Sequence, residues 1–94
     1  MLAFFSSLAA AGDAVAAMTR AGIVPVTLEL LDHETILAVD DAHQLGLDRD
    51  AAAMLLVESD APGAAATGEL DEAEKAINGA GATSVVRAQD AQEA

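Results

Sequence analysis

The chain has 94 residues and a formal net charge of −12, sixteen acids against four bases, with two histidines and no cysteine, tryptophan or tyrosine. This length makes one domain, 1–94, that buries somewhat over ~60% of its unfolded surface. The charge repels phosphate backbones and anionic membranes, arguing against nucleic acid or a membrane surface as partner, and the missing cysteines remove disulfides, thiolate metal sites and a cysteine nucleophile.

A cysteine-free chain fits the cytoplasm. Its start, Met1 to Gly12, lacks the basic region of a signal peptide. No apolar run reaches the ~20 residues of a membrane span. The core must come from a few Leu, Ile, Val and Met positions with Phe4 and Phe5, because much of the apolar content is alanine.

In chain order, Leu2–Ser6 reads as a short first strand. A helix from about Leu8 or Ala11 to Ala21 follows, with Leu8, Val15 and Met18 on its apolar side. Pro25–Leu31 is the second strand, with proline at its start, where a missing N–H is tolerated. It carries Glu29 in its middle and Asp32 at its end, and β propensity disfavours a carboxylate inside a strand. Asp32 caps a helix from about His33 to Leu45, with Ile36, Val39 and Ala42 facing inward. Ala52–Ser59 is a continuous apolar run, as expected of a central strand. The stretch Asp60–Gly68, rich in small residues, reads as a flexible connection. A third helix spans about Glu69–Ala80, with Leu70, Ala73, Ile77 and Ala80 on one face and acids Glu69, Asp71 and Glu72 in its first turn. Thr83–Ala88 is a β-branched fourth strand. Gly22, Gly46 and Gly81 stand where the left-handed residue after a helix is expected.

The order β-α-β-α-β-α-β fits a parallel, flavodoxin-like sheet or a ferredoxin-like split βαβ with an extra helix between the middle strands. A parallel sheet would have strands apolar on both faces. The second strand instead sets Thr27 and Glu29 against Val26, Leu28 and Leu30, and the fourth sets Arg87 and Val85 against Val86 and Ala88. This alternation favours an α+β, ferredoxin-like sandwich. Its four-stranded, largely antiparallel sheet would have one helix-covered face and one open face.

Candidate chemistry is sparse. His33 and His43 are ten apart, and Asp40, Asp41 and His43 point in different directions on one helix, so no metal set forms; a solvated helix face is the plainer reading. The glycines at 63 and 68 precede a helix without a nearby base, so a phosphate cradle is not indicated. Glu29, Glu58 and Arg87 lie on strands. They read either as a cross-strand ion pair on an exposed face or as a polar face that meets a second domain or ligand.

Three segments together resemble a known family. They are Ala-Gly-Ile-Val-Pro-Val-Thr-Leu-Glu-Leu-Leu-Asp (21–32), Ala-Met-Leu-Leu-Val-Glu-Ser-Asp (53–60) and Gly-Ala-Thr-Ser-Val-Val-Arg-Ala-Gln-Asp (81–90). In order and spacing they are similar to the C-terminal, or cap, domain of FAD-linked oxidases. The branch is that of the glycolate oxidase D-subunit and D-lactate dehydrogenase, among the vanillyl-alcohol-oxidase-like flavoproteins. The resemblance implies a ferredoxin-like cap-domain fragment of an FAD-dependent oxidoreductase that oxidises a 2-hydroxy acid by hydride transfer to flavin. It further implies that FAD is bound mainly by a separate N-terminal domain of the same polypeptide, and that the fragment alone is inactive and holds no catalytic residue. Glu93 and Ala94 would begin the family's next helix. Thr27, Glu29, Asp32, Glu58 and Arg87 become cavity-side or interdomain candidates. The isolated fragment is expected to form a homodimer through its exposed apolar sheet face, and the rival expectation is a free-standing ferredoxin-like regulatory or ligand-binding module that dimerises through its sheet.

Overall fold

The computed structural model of the chain describes residues 1–87. Its elements are β1 (Leu2–Phe5), α1 (Leu8–Arg20), β2 (Thr27–Asp32), α2 (His33–His43), β3 (Ala53–Glu58), α3 (Ala64–Gly79) and β4 (Ser84–Val86). The strands form one sheet in the order β2-β3-β1-β4, and every neighbouring pair is antiparallel. This is the ferredoxin-like α+β arrangement expected from the alternation, with α2 inserted between the strands that became β2 and β3. Ala88, Gln89, Asp90, Glu93 and Ala94, which carried part of the sequence reading, lie outside the described residues.

Register sorts the side chains. Ala3 pairs with Leu55 and Val85, and Phe5 pairs with Ala53. Ala3, Phe5, Ala53, Leu55 and Val57 therefore share one face. There they pack with Ala11, Ala14 and Met18 of α1 and Ala73 and Ile77 of α3. Burying a side chain such as Phe5, Leu55 or Ile77 contributes ~1.5–3 kcal/mol. The alanines of α1 let the helix lie close to the sheet. Leu8, expected inside, sits in the first turn of α1 and stays 52% exposed.

The opposite face is not wholly open. Phe4 and Met54 on that side pack with Ile36 of α2 and with Ala51, flanked by Leu2, Leu31 and Leu47. The consecutive pair Phe4-Phe5 thus anchors two layers, because successive strand residues point to opposite faces.

Local chemistry explains the helix limits. The Ser7 hydroxyl accepts the Ala10 N–H at 3.1 Å and starts α1. The Asp32 carboxylate accepts the Thr35 N–H at 2.9 Å and starts α2, as its position predicted. That helix ends before Gly46, because Gln44 takes the left-handed conformation (φ 51°). The third helix begins at Ala64, five residues before the expected Glu69. Alanines 64–66 are strong helix formers, so most of the presumed loop is helical. Glu69, Asp71 and Glu72 consequently fall beyond the first turn, which holds no acid.

The largest departure concerns β2. Val26, Leu28 and Leu30 were expected in the helix-packed core, yet they are 57%, 37% and 46% exposed. β2 is an edge strand, and α1 packs over the inner strands β1 and β3. No β2 residue joins the core beneath α1 and α3.

Candidate functional site

The sheet face opposite α1 and α3 is covered by α2 over Phe4, Met54 and Leu31, with Leu2 packed against the edge of that patch. Next to that patch, one cross-sheet row runs Glu29, Leu56, Leu2, Val86, each directly paired with its neighbour. Beyond Glu29 and Leu56, Thr27 pairs with Glu58. The row is acidic at the β2 edge and aliphatic across β3, β1 and β4. Glu29, Glu58 and Val86 are exposed, while Leu2, Leu56 and Thr27 are half-buried. A face built this way can cover an apolar surface while presenting two carboxylates and a hydroxyl along one margin.

Of the sequence candidates, Thr27, Glu29 and Glu58 meet on this face. Asp32 and Arg87 do not. Asp32 pairs with Ala53, and its carboxylate is committed to the start of α2. Thr35, through its hydroxyl and its backbone N–H, holds that carboxyl below the usual range. Arg87 follows Val86 on the helix-covered side. Its guanidinium meets Asp71 and Glu74 of α3, both at 2.9 Å. The cross-strand ion pair of Glu29 or Glu58 with Arg87 is therefore not formed, because the arginine points through the other face of the sheet.

Asp40 and Asp41 have a structural role. Both carboxylates reach the Arg49 guanidinium at 2.9 Å, and Asp40 also accepts the Leu47 N–H at 3.1 Å. Together they tie the loop after α2 back onto the helix. The Leu47 N–H first, and Arg49 second, hold the Asp40 carboxyl below its ordinary value. His33 donates from Nδ1 to the Ala51 carbonyl at 2.9 Å and fixes the other end of α2 to the entry of β3. Among the described residues no three His, Asp or Glu side chains converge on a common point.

The depressed Asp40 and Asp32 carboxyls give a definite pH dependence. A carboxyl held low when folded adds stability that is complete above its unfolded value of about 3.9 and lost as pH falls through the folded value. Acidification from neutrality to about pH 5 also begins to relieve the self-repulsion of the acidic surface. Urea midpoints should hold or rise from pH 7 to about 5 and fall below about 4. Asp40→Asn should lower the neutral-pH midpoint and shallow the acid limb; a limb of unchanged depth would show that Asp40 does not contribute it.

Among the described residues, the groove beside α3 does not suit the diphosphate of FAD. That group needs backbone donors or cations. The shallow groove lined by Gly22, Ile23, Val24 and Gly68 is bordered by Glu69 and Glu72. Carboxylates in that position repel a diphosphate.

Sequence reading missed Leu2, Leu56 and Val86 as members of the open face. Their signal was hidden because β3 is apolar on both sides, so only its register with β1 and β2 shows which leucine faces out. No helix among the described residues is long and apolar enough to cross a membrane.

Comparison with known proteins agrees with this architecture. The glycolate oxidase subunit GlcD of Bacillus subtilis (strain 168) is 35% identical over 94 residues, all of this chain and 20% of the relative. Glycolate oxidase subunit GlcD of Escherichia coli (strain K12) is 37% identical over 93 residues, 99% of this chain and 19% of the relative. The chain thus spans about a fifth of the length of the curated relatives it matches. No solved structure matches. The family described as FAD linked oxidases, C-terminal domain, matches residues 1–94 throughout, and the chain belongs to that family.

Proposed function

We propose that this chain is a cap-domain segment of a flavoenzyme that oxidises a small 2-hydroxy acid, of the glycolate or D-lactate kind, to the 2-oxo acid. The similarity to glycolate oxidase subunits supports the substrate class, and the row Glu29–Leu56–Leu2–Val86, an apolar band with an acidic margin on a face that α2 leaves partly uncovered, supports the cap role. Such a face suits contact with the flavin-binding domain of the same polypeptide. Thr27, Glu29 and Glu58 then line the seam with that domain, while Asp32 and Arg87 secure α2 and α3. FAD, when bound in the parent, would supply the acceptor for the hydride of the substrate α-carbon. We propose a cytoplasmic enzyme, a reading supported by the cysteine-free sequence.

Self-association of the isolated chain through the same row is the alternative, and it works against a charge of −12 on each copy. Two measurements test the proposal. The purified 94-residue chain should carry no flavin absorbance. The anaerobic parent should lose its flavin absorbance on addition of glycolate or D-lactate. Stoichiometric FAD on the isolated chain, or a parent whose flavin no 2-hydroxy acid reduces, would overturn it.

A further inference from the structure

The outer edge of β2 is the least protected part of the fold. Met1 exchanges both backbone bonds with Val57, each at 2.9 Å, so Val57 and, by alternation, Leu55 point their N–H and C=O groups toward β1. Glu58, Leu56 and Met54 point toward β2, where they pair with Thr27, Glu29 and Leu31. The N–H and C=O groups of Leu28 and Leu30 consequently project away from β3, on a side where no described strand lies. The Val26 N–H turns inward to the Glu58 carbonyl at 2.9 Å and closes the other end of the edge.

Natural edges are blunted by shortness, proline, bulges or charged side chains, lysine above all, and β2 carries only the acids Glu29 and Asp32. β4, at the opposite edge, has three residues. β2 has six, with no lysine or proline among them, and its outward-bonding residues carry the exposed side chains Leu28 and Leu30. We infer that β2 is a strand-addition site, filled by an extended segment from the remaining four fifths of the parent polypeptide. That segment would alternate aliphatic with basic residues.

Both parts of that chemistry come from the edge itself. A strand added beside β2 sets its side chains alternately next to Leu28 and Leu30 on one face and next to Glu29 on the other. Aliphatic side chains would continue the exposed leucine strip. Basic ones would meet Glu29, with Glu58 one strand further in. A second copy of this chain fits poorly, because it would bring its own Glu29 and Asp32 and a further charge of −12 to the same edge. A segment of the same polypeptide also binds at the high effective concentration of a tethered partner. The inference rests on the cap-segment reading of the chain and is independent of the substrate assigned to the parent.

The test is amide hydrogen exchange at Leu28 and Leu30, followed by NMR in the isolated chain and by mass spectrometry in the parent. The probes are the capped hexapeptide Lys-Val-Lys-Val-Lys-Val and its Glu-Val counterpart. Exchange should be fast in the isolated chain, slow at least tenfold with the Lys-Val peptide, and be slow in the parent without peptide. Leu28→Pro removes one outward donor without taking a bond from β3, so it should abolish peptide protection while the circular dichroism stays unchanged. Leu30→Lys, which keeps the backbone donors, should weaken Lys-Val binding if Leu28→Pro fails to fold. Equal protection by the Glu-Val peptide, fast exchange in the parent, or protection that grows with the isolated chain's own concentration would each overturn the inference.

Discussion

Phe5→Ala should cost about 3–5 kcal/mol, since Phe5 is fully buried between the sheet and α1 and its removal leaves a cavity as well as lost burial. A chain of this size has a total stability of ~5–14 kcal/mol, so the loss is a large fraction of the whole. The melting temperature should fall by more than about 12 °C, given ~4–8 °C per kcal/mol for domains of this length. Leu8→Ala is the control. Leu8 is larger than the alanines that form the helix-facing core, yet it is half exposed, and its replacement should change stability by about 1 kcal/mol or less. A larger cost at Leu8 than at Phe5 would mean that α1 turns a different face to the sheet. The comparison isolates one structural point: alanine spacing at 11 and 14, with Met18, sets how α1 sits.

Much of the fold could be read from the residues because local signals agreed with one another. Ser7, Asp32 and the glycines at 22 and 81 mark helix ends by side-chain capping or by positive φ. The polar–apolar alternation of β2 correctly argued for an antiparallel, unequally covered sheet. What that alternation could not show was strand position. Leu28 and Leu30 look like core residues by pattern, and only the order β2-β3-β1-β4 reveals that they lie at an edge that α1 does not reach. The start of α3 was lost for a different reason. The glycines at 63 and 68 suggested a loop, whereas helix propensity at Ala64, Ala65 and Ala66 carries the helix back to Gly63.

The candidate site divided in the same way. Thr27 and Glu29 share a face by period-2 counting within one strand, which sequence supplies. The company of Glu58 and the separation of Arg87 depend on register between strands. That register comes from backbone pairing, and Arg87 finds carboxylates on α3 rather than on the sheet. The aliphatic middle of the row, Leu56 and Leu2, became visible only when β1 and β3 were paired.

The central claim is that the row Glu29–Leu56–Leu2–Val86 and its margin are covered in the parent enzyme. The chain has no cysteine, so single cysteines introduced into it report accessibility directly by their rate of modification with a neutral thiol reagent. Glu58→Cys lies on the open face beside Thr27, and Lys75→Cys lies on exposed α3. Neither exchange removes a buried group, and both variants should fold. The measurement compares modification rates at the two positions in the isolated chain and in the FAD-loaded parent, with the parent's own cysteines replaced. Our account predicts similar rates at both positions in the isolated chain. In the parent, position 58 should slow at least tenfold while position 75 is unchanged. Equal rates at position 58 in the two proteins, or protection at 75 alone, would contradict it.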